Sequence, residues 1–296
     1  MRNIRVVFAV LSLSVVLVAG VADELQAQEK RQGWTKRLRY RRELRRELQG
    51  EIQLSGAFAL YPMAVKWAEE FRKIHPKVRI DISAGGAGKG ITDALAKVVD
   101  LGMVSRDIYP QELEKGAFPI AVVKDAVVPT INSNNPLIDQ ILATGLKQQV
   151  AQDLWIHTTA RTWGDVLGTG STIPVHVYTR SDACGAAETF AAWLGAKQED
   201  LEGTAVFGDP GVTSVVQRDK VGLGFNNIAY AYDINSKKPY RHIAVIPLDL
   251  NGNGKIDPEE DFYATSTELN AAIAEGKYPS PPARNLFLVS NGKPMK

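Results

Sequence analysis

A single cysteine, Cys184, stands in 296 residues. One thiol cannot close an internal disulfide, so the fold must rest on a buried core. Histidine is nearly as scarce: His75, His157, His176 and His242 are the whole set, and none lies in a recognisable catalytic motif. Beyond residues 6–21 no stretch is long and apolar enough to span a bilayer. Internal repeats and low-complexity tracts are lacking. Charge is nearly balanced, at net +2, and no nucleic-acid fold signature accompanies it, so nucleic acid is not an expected partner.

What is present begins with a leader. Arg2 and Arg5 precede the apolar run 6–21, which is short for a membrane span, and small residues follow at Ala22 and Ala27. This pattern predicts a signal peptide over residues 1–27 and a periplasmic or secreted protein; an uncleaved anchor is the alternative. No cysteine follows the run, which argues against a lipid anchor. Residues 28–49 form a basic segment, with nine Lys or Arg against one acid, Glu43, over 30–46. It reads as a solvated linker or frayed helix, with contact to an anionic surface as the alternative. Residues 47–296 are net acidic. The length left after the leader suits one large domain or two lobes.

From residue 50 the pattern alternates between strand and helix. Strands are expected at 51–56, 77–83 (KVRIDIS), 100–105, 120–131, 174–179 and 242–248, with an apolar strand at 286–289. Helices are expected at 62–74, opened by Pro62, and at 91–99, 138–149 and 186–194. The βαβ rhythm implies an α/β protein with a largely parallel sheet. Trp155 and Trp163 read as core.

Three segments share a design of strand, small-residue loop and helix start: 55–61 (SGAFALY), 83–90 (SAGGAGKG) and 180–186 (RSDACGA). The first turn of a helix leaves N–H groups unpaired and carries partial positive charge. Aimed at one cleft, three such starts would hold a compact anion without a basic body. Arg180 adds a planar fork suited to oxyanions.

On these residues the chain resembles the phosphate-binding proteins of ABC transporters. The stretch SGAFALYPMAVKWAEEF, then SAGGAGKG and DLGMVSRD, is similar to their N-terminal lobe. TRSDACGAAETFAAWL resembles their second-lobe ligand loop, and GDPGVTSVVQRDKVGLGFNNIAYAY the segment that returns to the first lobe. The resemblance implies a two-lobed type II periplasmic-binding-protein fold, each lobe a mainly parallel sheet flanked by helices, with a hinge. Lobe 1 is expected over residues 50–128 plus 226–296, and lobe 2 over 129–225. It further implies a non-enzymatic, monomeric protein that delivers phosphate or a related tetrahedral oxyanion to an ABC permease. Family members continue into a closing helix, so this sequence reads as one that stops short.

The resemblance also implies ligand contacts. Backbone donors fall near Leu60 and Tyr61, and a second-loop contact at Gly86, Ala87 and Gly88. A third contact falls at Ser105 or Arg106, with Asp107 next. Arg180 and Asp182 match the Arg and Asp of the ligand loop. Cys184, Gly185 and Ala186 replace the family's Ser-Gly-Thr, and Leu60 stands where Thr is frequent. Backbone donors are kept while side-chain hydroxyls are depleted.

Residues 249–260 (DLNGNGKIDPEE) carry a separate signal. Asp249, Asn251, Asn253, Lys255, Asp257 and Glu260 occupy positions 1, 3, 5, 7, 9 and 12 of a twelve-residue calcium loop, with Gly254 at the sixth. The spacing predicts a structural Ca²⁺ bracing a loop; a metal-free turn is the alternative. Two further alternatives concern function. One is a scaffold or adhesion protein with the same fold. The other is a thiol enzyme using Cys184, which lies at an expected helix start where a thiol pKa can fall.

Overall fold

The computed structural model describes residues 48–294. The expected signal peptide and residues 28–47 of the basic segment lie outside the described residues. In chain order the first half contains β1 (Gln49–Gly56), α1 (Tyr61–Ile74), β2 (Lys77–Ala84), α2 (Ala87–Leu95), β3 (Leu101–Val104), α3 (Pro110–Glu114) and β4 (Ala117–Asn132). There follow α4 (Ile138–Thr144), α5 (Gln148–Trp155), α6 (Trp163–Leu167), β5 (His176–Arg180), α7 (Gly185–Trp193) and a 3-10 turn at Gln198–Asp200. The chain then forms β6 (Thr204–Val206), α8 (Gly208–Arg218), β7 (Gly222–Asn227), α9 (Ile228–Ala231), β8 (Ile243–Val245), α10 (Ser266–Ala274) and β9 (Ala283–Asn291). Among the described residues no helix is long and apolar enough to cross a membrane.

The described residues fall into two compact units: 48–50 with Phe71–Val78, and Glu51–Glu70 with residues 79–294. Within the smaller, the Phe71 and His75 rings lie 4.8 Å apart. The larger contains every candidate site residue. Its strands follow the order β2-β1-β3-β9-β4-β7-β5-β6, with β8 on β4. β1 runs parallel to β3, and β5 parallel to both β6 and β7. The long β4 is antiparallel to everything beside it. Its residues up to Ala126 pair with β9, and from Val127 onward with β7. The sequence reading takes the strand 120–131 as broken by Lys124 and Asp125, but both pair within it, opposite Asn285 and Arg284, and the irregularity is a bulge between Ala121 and Val123.

Two helix boundaries differ from the sequence reading. The glycine-rich stretch 84–90 is not a loop throughout, because α2 already begins at Ala87. Its buried face is Ala87, Gly90, Ile91 and Ala94, the helical spacing that seats it on the sheet. Gly90 allows that seat: a Cβ there would lie 2.4 Å from the Met103 carbonyl oxygen. The expected helix 138–149 is two helices. Gly145, at φ 72, ends α4, and its N–H caps the Ile141 carbonyl at 2.9 Å.

The core lies where α5, α7 and β7 meet. Phe190 stacks on Phe225 at 4.5 Å, and Trp155 meets Phe190 edge-on at 5.0 Å. Trp155 and Trp163 are fully buried, as expected of core. Their indole N–H groups donate to the Tyr178 and Val221 carbonyls at 3.2 and 3.3 Å.

Candidate functional site

The loops after β1, β2, β3 and β5 converge. The Gly85 and Gly86 N–H groups donate to the Gly56 carbonyl at 2.9 and 3.1 Å, fixing the second loop on the first. The Gly88 N–H reaches the Ala183 carbonyl at 3.4 Å, joining the second loop to the β5–α7 loop. Gly185 packs so tightly on the segment after β3 that a Cβ there would lie 2.1 Å from the Ser105 carbonyl oxygen. Phe58, in the first loop, lies over Arg180 at 5.7 Å. A half-open cavity of about 690 Å³ adjoins this junction, bordered by Gly88, Arg106, Ala183, Cys184 and Glu188.

Arg180 is the centre of the cluster. Its fully buried guanidinium sits between two carboxylates. Nε and Nη2 donate to Asp182 at 2.8 and 2.6 Å, and Nη1 to Asp209 at 2.6 Å. Three of the five N–H groups a guanidinium carries are thereby engaged, and two are left over. Burial works against the charge of Arg180, but Asp209 and Asp182 hold it protonated. Burial pushes Asp182 up, yet the hydrogen bonds and charge of Arg180, with the Gly208 N–H at 3.0 Å, hold it below the usual carboxylate range.

Several expected donors are already engaged. The N–H groups of Leu60 and Tyr61 close a turn onto the Ala57 and Phe58 carbonyls at 3.2 and 3.1 Å, and Leu60 is fully buried. The Cys184 N–H is taken by Gln198 Oε1 at 3.0 Å. Cys184 Sγ instead caps α7, accepting the Ala187 N–H at 3.5 Å. Burial pushes this thiol up to about 12, the opposite of a nucleophile's shift. Ala87 sits buried at the start of α2, and Gly185 and Ala186 open α7.

Arg106 faces α3 and α7. It makes a fork to Glu112 at 2.7 and 2.9 Å, lies 3.2 Å from Glu188, and covers the Tyr109 ring at 4.1 Å. The Tyr109 hydroxyl donates to Glu188 at 2.6 Å. Ser105 contributes its carbonyl, which accepts Arg284 Nε at 2.6 Å.

Two buried charged residues escaped the sequence reading. Asp209, in α8, accepts the Asn227 N–H and Nδ2–H at 2.9 and 2.8 Å besides Arg180. Arg284, in β9, also donates to Asn227 Oδ1. A signal for Arg284 existed: an isolated cation in the apolar run ARNLFLV, matched by the isolated Asp125 in AVVKDAVV.

The 249–260 loop stands at a different place in the fold, beside α4, where the Ile256 N–H meets the Ala143 carbonyl at 2.9 Å. Asp249 accepts the Gly252 and Gly254 N–H groups at 2.7 Å each. Glu260 accepts those of Leu250 and Asn251 at 2.9 and 3.1 Å. Asp257 accepts the Asn251 and Asn253 amides and the Lys255 ammonium. Among the described residues no three His, Cys, Asp or Glu side chains gather about a metal-sized point.

This architecture has known counterparts. The sequence matches the PBP superfamily domain over residues 43–283, and the chain belongs to that superfamily. It is 28% identical over 211 residues to Protein SphX of Synechococcus elongatus, covering 69% of this chain and 60% of that one. It is equally 28% identical over 205 residues to the phosphate-binding protein PstS of Xylella fastidiosa, covering 61% and 54%. The chain thus spans less than two thirds of the length of these relatives. A putative phosphate ABC transporter substrate-binding protein of Clostridium perfringens, solved with bound phosphate, superposes with a TM-score of 0.64. That match, at 22% identity, covers 81% of this chain and 86% of the other. The fold is the type II periplasmic-binding-protein fold.

Proposed function

We propose that this chain captures phosphate, or a related tetrahedral oxyanion, for an ABC importer and does so outside the cytoplasm as a monomer. The observation that carries the reading is the convergence of four loops, one of them led by the buried Arg180, which keeps two N–H groups beyond those its carboxylates take. An oxyanion there would meet the first turns of α2 and α7. Lobe 1 is taken as residues 50–128 plus 226–296 and lobe 2 as 129–225. The change of partner in β4 at Ala126 and Val127 supports a boundary near residue 128. A thiol enzyme is disfavoured by the neutral, capping role of Cys184. Titration calorimetry against phosphate, sulfate, molybdate and tungstate tests the assignment. Binding of one of them with Arg180→Ala weakened is the expected result. Silence with all four would favour a scaffold role.

The 249–260 loop is proposed to take a structural Ca²⁺ through Asp249, Asn251, Asn253, Asp257, Glu260 and the Lys255 carbonyl. Support comes from the spacing and from the glycines at left-handed φ, Gly252 and Gly254. Binding would raise the melting temperature by mass action. Equal melting in excess Ca²⁺ and in chelator would leave the loop a plain turn.

A further inference from the structure

We propose that Arg284 is the positioning residue that ties the two sides of the anion site together, gripping the Ser105 carbonyl and the Asn227 side chain with one guanidinium. The inference rests on the oxyanion reading and goes past it, because Arg284 belongs to none of the loops that reading uses.

β9 carries Arg284 opposite Asp125 of β4, and the residue is more than nine-tenths buried. A guanidinium so buried needs compensation. Asp125 supplies charge at 3.5 Å, but its Oδ2 has no hydrogen-bond partner, and neither has Arg284 Nη1. The carboxylate therefore offsets the charge without fixing the fork. What fixes the fork is the pair of acceptors ahead of it: Ser105 O, 2.6 Å from Nε, and Asn227 Oδ1, bonded to Nη2.

Each acceptor leads to the site. The Ser105 carbonyl is the surface on which the backbone of Gly185 rests, so it sets the first turn of α7. Asn227 donates to Asp209 at 2.8 Å, and Asp209 holds Arg180 Nη1 at 2.6 Å. A continuous run of contacts thus passes from Gly185 through Ser105, Arg284, Asn227 and Asp209 to Arg180. Its two ends are two of the anion-facing groups. Losing the fork would leave Ser105 O and Asn227 Oδ1 without these donors in a buried layer, and a lysine, being a point charge, does not reproduce a planar fork.

The test compares wild type with Arg284→Lys, Arg284→Gln and Asn227→Ala. Calorimetry with phosphate should show affinity lowered by about tenfold or more in both Arg284 variants, Lys faring nearly as badly as Gln. In the ligand-free proteins, amide exchange should quicken at Ser105, Arg106, Gly185 and Ala186 while the β7 amides keep their protection. Wild-type affinity and wild-type exchange in Arg284→Lys would overturn the proposal. So would exchange accelerated evenly along the chain, the mark of a purely structural residue. If neither Arg284 variant folds, Asn227→Ala decides: it removes the Asn227 grip together with the Asn227–Asp209 bond but leaves Arg284 on Ser105, so weakened phosphate binding with wild-type exchange at Ser105 and Gly185 is expected, and wild-type affinity would overturn the proposal. If wild type itself takes up no phosphate, the oxyanion reading fails, and the ligand-free exchange still decides the role of Arg284.

Discussion

Arg180 is held by more negative charge than it carries. Asp182 and Asp209 both contact it, so its two remaining N–H groups belong to a cation already compensated. Two substitutions separate holding from binding. Arg180→Ala should weaken oxyanion binding by about 1.5–3 kcal/mol. It should also destabilise the protein by about 3–5 kcal/mol, because two buried carboxylates lose their partner. Asp209→Asn should act in opposite directions on the two quantities. The amide oxygen can still accept from Asn227, while the NH2 that replaces Oδ2 cannot accept from Arg180 Nη1, so Arg180 loses one counter-charge and one hydrogen bond. Phosphate should bind severalfold tighter and the melting temperature should fall. Parallel calorimetry and thermal unfolding decide it, and weaker phosphate binding in Asp209→Asn would contradict the electrostatic account.

Asp125 offers a pH test. Burial pushes its carboxyl up to about 6, although Arg284 pulls the other way. A carboxyl whose folded pKa lies above the unfolded value of about 3.9 stabilises the fold fully at low pH. That contribution is lost as pH rises through the folded pKa. Relative to Asp125→Asn, the wild type should therefore lose stability between about pH 4 and 6, by at most about 3 kcal/mol. Urea midpoints of both proteins across that range check the sign. Arg180 and Asp182 were legible because they stand together in one loop. Asp209 and Arg284 were not, because their partners lie far along the chain and only the folded sheet makes them neighbours. Asp209 in GDPGV reads by itself as an ordinary helix-start residue.

Among the elements, helix starts were the hardest features to place. The pattern of apolar residues revealed β1, β2, β3 and β5 within a few residues, since period two survives in a short segment. The start of α2 was hidden because Ala87, Gly88 and Gly90 have no large side chain to mark a face. They are small for a packing reason, the close approach of helix to sheet. The break at Gly145 was overlooked because Ile138–Gln149 keeps an apolar face past it. Gly185 gives the sharpest element-level prediction. In Gly185→Ala the added methyl meets the Ser105 carbonyl, so α7 or the segment after β3 must move. Oxyanion affinity should drop at least about tenfold while the circular dichroism spectrum stays that of wild type, since the clash falls at the first residue of α7 and leaves the hydrogen-bonded turns that follow intact. Gly170→Ala, with open space around its Cβ and no left-handed φ, serves as the control for binding.

At the scale of the molecule, the proposed two-lobed arrangement predicts a measurable closure. The radius of gyration from small-angle scattering should fall when phosphate is added to wild type and should not change in Arg180→Ala. The fold class was readable from the βαβ rhythm and the family resemblance. The antiparallel β4 and β9 were not, because a strand's direction depends on neighbours brought from distant parts of the chain.

The place of β9 bears on the order of events during synthesis. This strand, Ala283–Asn291, lies between β3 and β4 and pairs with both. A ribosome releases it after all the other strands described here, so β3 and β4 must wait with open edges until the last of it emerges. Sheets closed by contacts so distant in sequence form slowly, and their exposed strand edges are prone to wrong pairing. A nascent chain stalled at residue 280 should thus remain protease-sensitive over 101–126, the part of β3 and β4 that faces β9, and a chain extended past residue 291 and clear of the exit tunnel should protect that region in a single step.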